Sequence, residues 1–251
     1  MSMAPVDELS LLKVLERGLD QPAYKRALLL LEAVQPGVNG EGLAAMPIGQ
    51  RDRCLLLLRE QLFGSRMECT LACPNCGEAL EFSCSVTDLC LEPALPHDQH
   101  LELLHGDIAV RYRLPNSDDL ATALQDNPES NGQAAVLERC IQLVTDNDRD
   151  ITGQPLPVEI QAAVLEGMES ADPQGNVELD MTCPSCAEQW QSPFDIVAYL
   201  WSELEAWGQR LLGDIHALAS SYGWTEAEVL AVTPWRRRQY LERLARLRVD
   251  R

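Results

Sequence analysis

The sequence predicts an α+β fold, mostly helical, in which helices surround a small β unit built from two distant segments. Two short stretches match each other across a gap of about a hundred residues: Cys73-Pro74-Asn75-Cys76-Gly77 and Cys183-Pro184-Ser185-Cys186-Ala187. Each is flanked by short alternating runs that read as strands, Met67–Leu71 and Leu80–Phe82 around the first, Val177–Met181 and Trp190–Ser192 around the second. Most of the remaining chain carries leucine, alanine and valine at helical spacing.

The hooks set the chemistry. A Cys-x-x-Cys turn puts two sulfurs on one side of a tight bend, and a tetrahedral zinc thiolate site needs four sulfurs at about 2.3 Å. Proline after the first cysteine pre-sets φ for the bend, and glycine after the second tolerates positive φ. The first hook has both residues, whereas the second has Ala187 where glycine is easier. A strand–hook–strand unit occurring twice is the pattern of a zinc ribbon. One structural Zn²⁺ per chain, held by Cys73, Cys76, Cys183 and Cys186, is therefore expected. Four thiolates leave no open coordination position, which argues against a catalytic metal. Spacing alone leaves two alternatives open, a thiol redox pair and hooks without metal. Of the other cysteines, Cys54, Cys90 and Cys140 read as small core residues, as do Cys69 and Cys84, which lie near enough to the first hook to be second-choice ligands.

Five segments follow from this frame. Residues 1–65 form an N-terminal helical segment: a helix over about 7–17 ended by Gly18, a second from Pro22 to about Val34, a loop over 36–49, and a strong helix over 50–63 stopped by Gly64. Residues 66–86 and 177–193 are the two ribbon halves. Between them lies a mixed insertion, 87–176. There, 105–114 alternates like a strand pair turning at His105-Gly106-Asp107, and Asn116-Ser117-Asp118-Asp119 starts a helix. A polar loop spans 126–132, a helix about 133–144, a turn 146–153, and Pro157 opens a helix ending near Glu169. Residues 194–251 hold three consecutive helices. The first runs from Phe194 to about Leu212. The second carries a Thr225-x-x-Glu228 capping box, with Trp224 and Val229 placed for a hydrophobic staple. The third begins at Thr233-Pro234 and continues through Leu241, Leu244 and Leu247.

Composition narrows the function. At 251 residues and 46% hydrophobic the chain can bury a sizeable core, and no apolar run reaches the roughly 18 residues of a membrane span. No secretory signal is recognisable, and nine cysteines, an odd number, oppose a secreted disulfide framework. A cytoplasmic location is expected. The formal charge is −19, yet residues 234–251 alone contribute +5, leaving −24 on the rest. A body so acidic repels nucleic acid and anionic membrane. It therefore opposes the main alternative function, a zinc-ribbon regulator of nucleic acid or the transcription machinery, and with it a DNA-reading role for the C-terminal helix–turn–helix pattern. His97, His100, His105 and His216 are not at ligand spacing from the hooks, and no Ser-His-Asp order, phosphate loop or dinucleotide motif is present. No enzymatic constellation results. Arg236-Arg237-Arg238, with Trp224 and Tyr240, is the basic, aromatic-bearing end expected to bind a partner.

A resemblance adds to this reading. Arg51 to Arg59 with Leu62-Phe63-Gly64 precedes the first hook. Phe194-Asp195-Ile196 and Leu200-Trp201-Ser202-Glu203-Leu204 follow the second, and the chain ends with Tyr222-Gly223-Trp224-Thr225-Glu226-Ala227-Glu228 and Arg236-Arg237-Arg238-Gln239-Tyr240-Leu241. Together with the paired hooks, these stretches resemble a family of baseplate-associated proteins of contractile phage tails and phage-like contractile injection systems, similar to the baseplate hub subunit and assembly chaperone of T-even phages. The resemblance covers nearly the whole chain. It implies a non-enzymatic structural or assembly role, with baseplate or tail proteins of the same system as partners.

Overall fold

The computed structural model describes residues 4–35, 37–91, 100–126, 132–147 and 149–249. Pro36, His97 and most of the polar loop read over 126–132 lie outside them.

Four helices lead in: α1 (Glu8–Gly18), α2 (Ala23–Val34), α3 (Gly40–Ala44) and α4 (Ile48–Phe63). Asp7 caps α1, its carboxylate accepting from the Ser10 N–H at 2.7 Å. The loop expected over 36–49 contains α3, because Asn39 accepts from the Gly42 N–H at 2.9 Å and nucleates one helical turn. Strands β1 (Arg66–Ala72) and β2 (Ala79–Ser85) make an antiparallel hairpin, and α5 (Val86–Leu89) follows from a capping box at Ser85 and Asp88.

The insertion is a second layer. Strands β3 (Leu101–His105), β4 (Ile108–Tyr112), β5 (Ile141–Asp146) and β6 (Arg149–Asp150) form an antiparallel sheet in that order. Helices α6 (Ser117–Asp126) and α7 (Gly132–Cys140) lie between β4 and β5, and α8 (Val158–Ala171) follows β6. The helix expected over 133–144 ends at Cys140, where the chain turns directly into β5. As a strand, Ile141 and Val144 sit opposite Tyr112 and Val110 of β4 and join them in the core, a register shift between Arg111 and Tyr112 bringing both to the same face. Val110, Tyr112, Leu137, Val144, Ile160 and Val164 fill this smaller core.

Strands β7 (Glu178–Thr182) and β8 (Gln189–Pro193) form the second hairpin. Three helices then close the chain: α9 (Ile196–Tyr222), α10 (Glu226–Ala231) and α11 (Pro234–Val249). α9 runs ten residues beyond the expected Leu212 and ends at Gly223, whose φ of 69° glycine adopts without a Cβ penalty. It is the axis of the main core, packing against α1, α2, α4, α10 and α11. Its buried residues Leu200, Trp201, Leu204 and Leu218 meet Leu12, Leu30, Leu31, Leu55 and Leu58 of the N-terminal helices. At the α1–α9 crossing the Trp201 ring lies so close to Gly18 that any side chain there would collide with it.

The insertion is fixed to the start of α4. Pro47 offers that helix no side-chain cap. Asp172, just past α8, supplies one from 123 residues away, its Oδ2 accepting from the Gly49 N–H at 2.9 Å. The Ile48 N–H donates to the Pro115 carbonyl at 3.0 Å. Gln174 accepts from the Leu91 N–H at 2.7 Å and donates to the Leu89 carbonyl at 3.2 Å. These bonds set the chain's course from the first hairpin through the insertion to the second, so that the two hooks face each other.

Candidate metal centre

Each hook is the turn of its own hairpin, and the two are near copies. The Cys73 N–H donates to the Glu78 carbonyl at 2.8 Å and the Gly77 N–H to the Cys73 carbonyl at 2.9 Å; Cys183, Glu188 and Ala187 repeat both bonds at the same lengths. The fifth residue of each hook has positive φ, 75° at Gly77 and 61° at Ala187. Ala187 therefore adopts the glycine conformation at a cost of roughly 1 kcal/mol or more. Ala187→Gly is expected to raise stability by about 0.5 kcal/mol, the relieved strain partly offset by glycine's larger chain entropy. Thermal melting checks this, and a lowered melting temperature would contradict it.

The hooks meet sulfur to sulfur. Cys73 Sγ lies 3.6 Å from Cys186 Sγ, and Cys76 Sγ 3.6 Å from Cys183 Sγ. All four sulfurs lie within 4.8 Å of one another. A tetrahedron of metal–sulfur bonds near 2.3 Å has sulfur–sulfur edges of about 3.8 Å, which these separations match. A disulfide would need about 2.05 Å. Cys73 and Cys183 are buried, whereas Cys76 and Cys186 face solvent. Beneath the sulfurs, Leu80, Met181 and Trp190 form a small apolar floor. The Asn75 side-chain amide donates to Cys186 Sγ at 3.6 Å across the two hooks. Only its place inside a hook marked that residue in the sequence.

Electrostatics favour a cation here. The Glu188 N–H, directed at Cys186, holds that thiol down at about 7. The Glu78 N–H also pulls Cys76 down, but hydrogen bonds with Cys186, Cys183 and Cys73 outweigh it, and Cys76 stands at about 12. Four sulfurs this close cannot all be thiolates unless a positive ion shares them. The donor set and spacing fit a metal ion held by four thiolates.

The remaining cysteines stand apart. Cys69 and Cys84, the second-choice ligands, lie on β1 and β2 with sulfurs 4.0 Å apart, pack against the main core, and are outside the four-sulfur group. Burial pushes the Cys69 and Cys140 thiols up to about 12 and raises Cys54 and Cys84 as well. Such thiols are poor nucleophiles. No histidine belongs to the four-sulfur group among the described residues.

The residues expected at the partner surface divide. The Trp224 ring stacks on Tyr222 with centroids 5.1 Å apart and meets Tyr240 edge-on at 5.1 Å, half-buried against the main core. Arg237 is buried, and its Nη2 donates to both carboxylate oxygens of Glu8 at 2.6 and 2.8 Å. It is a tether between the first and last helices and not a contact residue. A helix turns about 100° per residue, so three consecutive arginines cannot share a face, and the central one points inward. Arg236 and Arg238 are exposed. Trp235, not among the residues the sequence pattern marks, is 70% exposed. Its position half a turn from Tyr240, Leu241 and Leu244 on a helical projection marks it as outward-facing.

No helix is long and apolar enough to cross a membrane among the described residues. Neither curated proteins nor solved structures give a match. A family model described as T4 bacteriophage base plate protein matches residues 6–201, from the start of α1 through both hooks and into α9. The chain belongs to the family of T4 bacteriophage base plate proteins.

Proposed function

We propose that the protein is a non-enzymatic structural or assembly component of the baseplate of a contractile tail or contractile injection system, comparable to a hub subunit and assembly chaperone. One structural Zn²⁺ stabilises it, and its C-terminal helices contact neighbouring tail proteins. The family match over residues 6–201 carries the reading, because it spans every element that brings the hooks together. Cys73, Cys76, Cys183 and Cys186 would hold the zinc. Four thiolates suit zinc over harder ions, and a closed thiolate site supplies folding energy and no reaction. The acidic body opposes the nucleic-acid alternative. Synthesis in the reducing cytoplasm would keep the thiols available to the metal.

Deleting the gene in producing cells tests the role. Electron microscopy should show loss of complete tails, restored by the wild-type gene and not by the Cys73→Ser gene. Normal numbers of complete tails in the deletion strain, with no tail protein co-purifying with the wild-type chain, would refute it.

A further inference from the structure

α11 turns toward solvent a face that its own chain leaves uncovered. Trp235 sits on it, 70% exposed. Arg236 and Arg238 follow it in the sequence, and Arg243 and Arg246 lie two to three turns further along the same helix; all four are exposed and none is in an ion pair among the described residues. The acid on this side is Glu242, which accepts from the Gln239 amide at 3.4 Å. The opposite side is held fast by Arg237 on Glu8, by Tyr240 in the aromatic cluster, and by Leu241 and Leu244 against the main core. The helix is therefore held in place, and a partner has only its exposed side chains to order on binding. A large exposed aromatic on a helix that also presents exposed arginines has the composition of an energetically dominant contact.

We propose that this face docks a carboxylate-rich patch on another protein of the baseplate, with Trp235 entering an apolar notch within that patch. The inference rests on the baseplate reading above. Charge decides what kind of partner fits. The arginines call for an anion, but the rest of the chain carries −24. Nucleic acid also offers stacking and negative charge. Its charge continues every 1.7 Å or so along a duplex, so it would run past α11 onto the acidic body. A folded protein can confine its carboxylates to the area the arginines cover, and repulsion beyond that area is screened within about 8 Å at physiological salt.

The test co-expresses the full chain with each protein encoded beside it among the tail genes. Wild type is compared with Trp235→Ala and with the double variant Arg236→Glu/Arg238→Glu. Neither change touches the Glu8 tether, so melting temperature and metal content should equal wild type. A tail protein should co-purify with wild type, more weakly as salt is raised, and both variants should lose at least about tenfold in affinity. Equal binding by all three chains would overturn the inference and leave the baseplate role standing. Failure of every tail protein to bind wild type would overturn both. Binding of a single-stranded oligothymidylate, lost in Trp235→Ala, would assign the face to nucleic acid instead. A wild-type dimer lost in the same variant would assign it to a second copy of this chain.

Discussion

Cys73→Ser is expected to lower the melting temperature by at least about 10 °C and to release the metal. Serine has no sulfur and its hydroxyl is not ionised at neutral pH, and three sulfurs hold zinc far more weakly than four. Zinc binding in small peptides is worth roughly 10–16 kcal/mol, comparable to the whole stability of an ordinary domain at about 5–15 kcal/mol. The cysteines whose sulfurs meet across the hooks are 107 and 113 residues apart. Closing a loop of that length costs the unfolded chain about 4 kcal/mol without the metal. At about 2–4 °C per kcal/mol for a chain of this size, that term alone accounts for the expected shift. Cys186→Ser should behave alike although Cys186 is exposed, because its role is ligation and not packing. Cys84→Ser, outside the four-sulfur group, should leave metal content unchanged. A Cys73→Ser protein that melts with wild type and keeps its metal would show that the hooks do not share an ion.

Arg59→Ala is expected to cost about 2–4 kcal/mol, less than a fully buried pair because Glu203 retains some solvent. The Arg59 guanidinium is nearly inaccessible and grips both carboxylate oxygens of Glu203, at 2.8 and 2.7 Å, joining α4 to α9. It also donates to the Gly64 carbonyl at the end of α4 and lies 5.7 Å from the centre of the Tyr199 ring. The Tyr199 hydroxyl in turn donates to the Glu68 carbonyl on β1 at 3.1 Å. One side chain thus ties the helical core to the first hairpin. Removing it leaves Glu203 partly buried without its partner and weakens one of several contacts between the hairpin and the bundle, which also include Met67 in the main core. Arg59→Lys keeps the charge but not the two-pronged geometry, so it should recover only part of the loss. A melting temperature for Arg59→Ala within about 2 °C of wild type, less than 1 kcal/mol in a chain this long, would count against this linkage.

The four-cysteine cluster was legible because its chemistry is local. Two cysteines and a proline within four residues define a hook whatever surrounds it, and a duplicated hook marks a candidate for one shared site. The capping box at Thr225 and Glu228 was legible for the same reason, and both of its reciprocal bonds are formed. What escaped was long-range. Asp172 caps a helix 123 residues upstream, and no local pattern marks it. The end of α7 was misplaced because Ile141 and Val144 continue an apolar helical stripe, and only pairing with β4 turns them into a strand. Arg237 looked like one third of a basic run. Its burial depends on Glu8, 229 residues away. Trp235 is outward-facing by its own position on α11, half a turn from Tyr240, Leu241 and Leu244, a signal present in the sequence but not drawn from it.

Metal analysis of the purified chain, kept reduced throughout, tests the shared ion most directly. One zinc per chain is predicted, removed by a strong chelator with a large fall in melting temperature and restored by added zinc. Less than about half an equivalent of any tetrahedral thiolate metal, or full metal removal without change in melting, would contradict it.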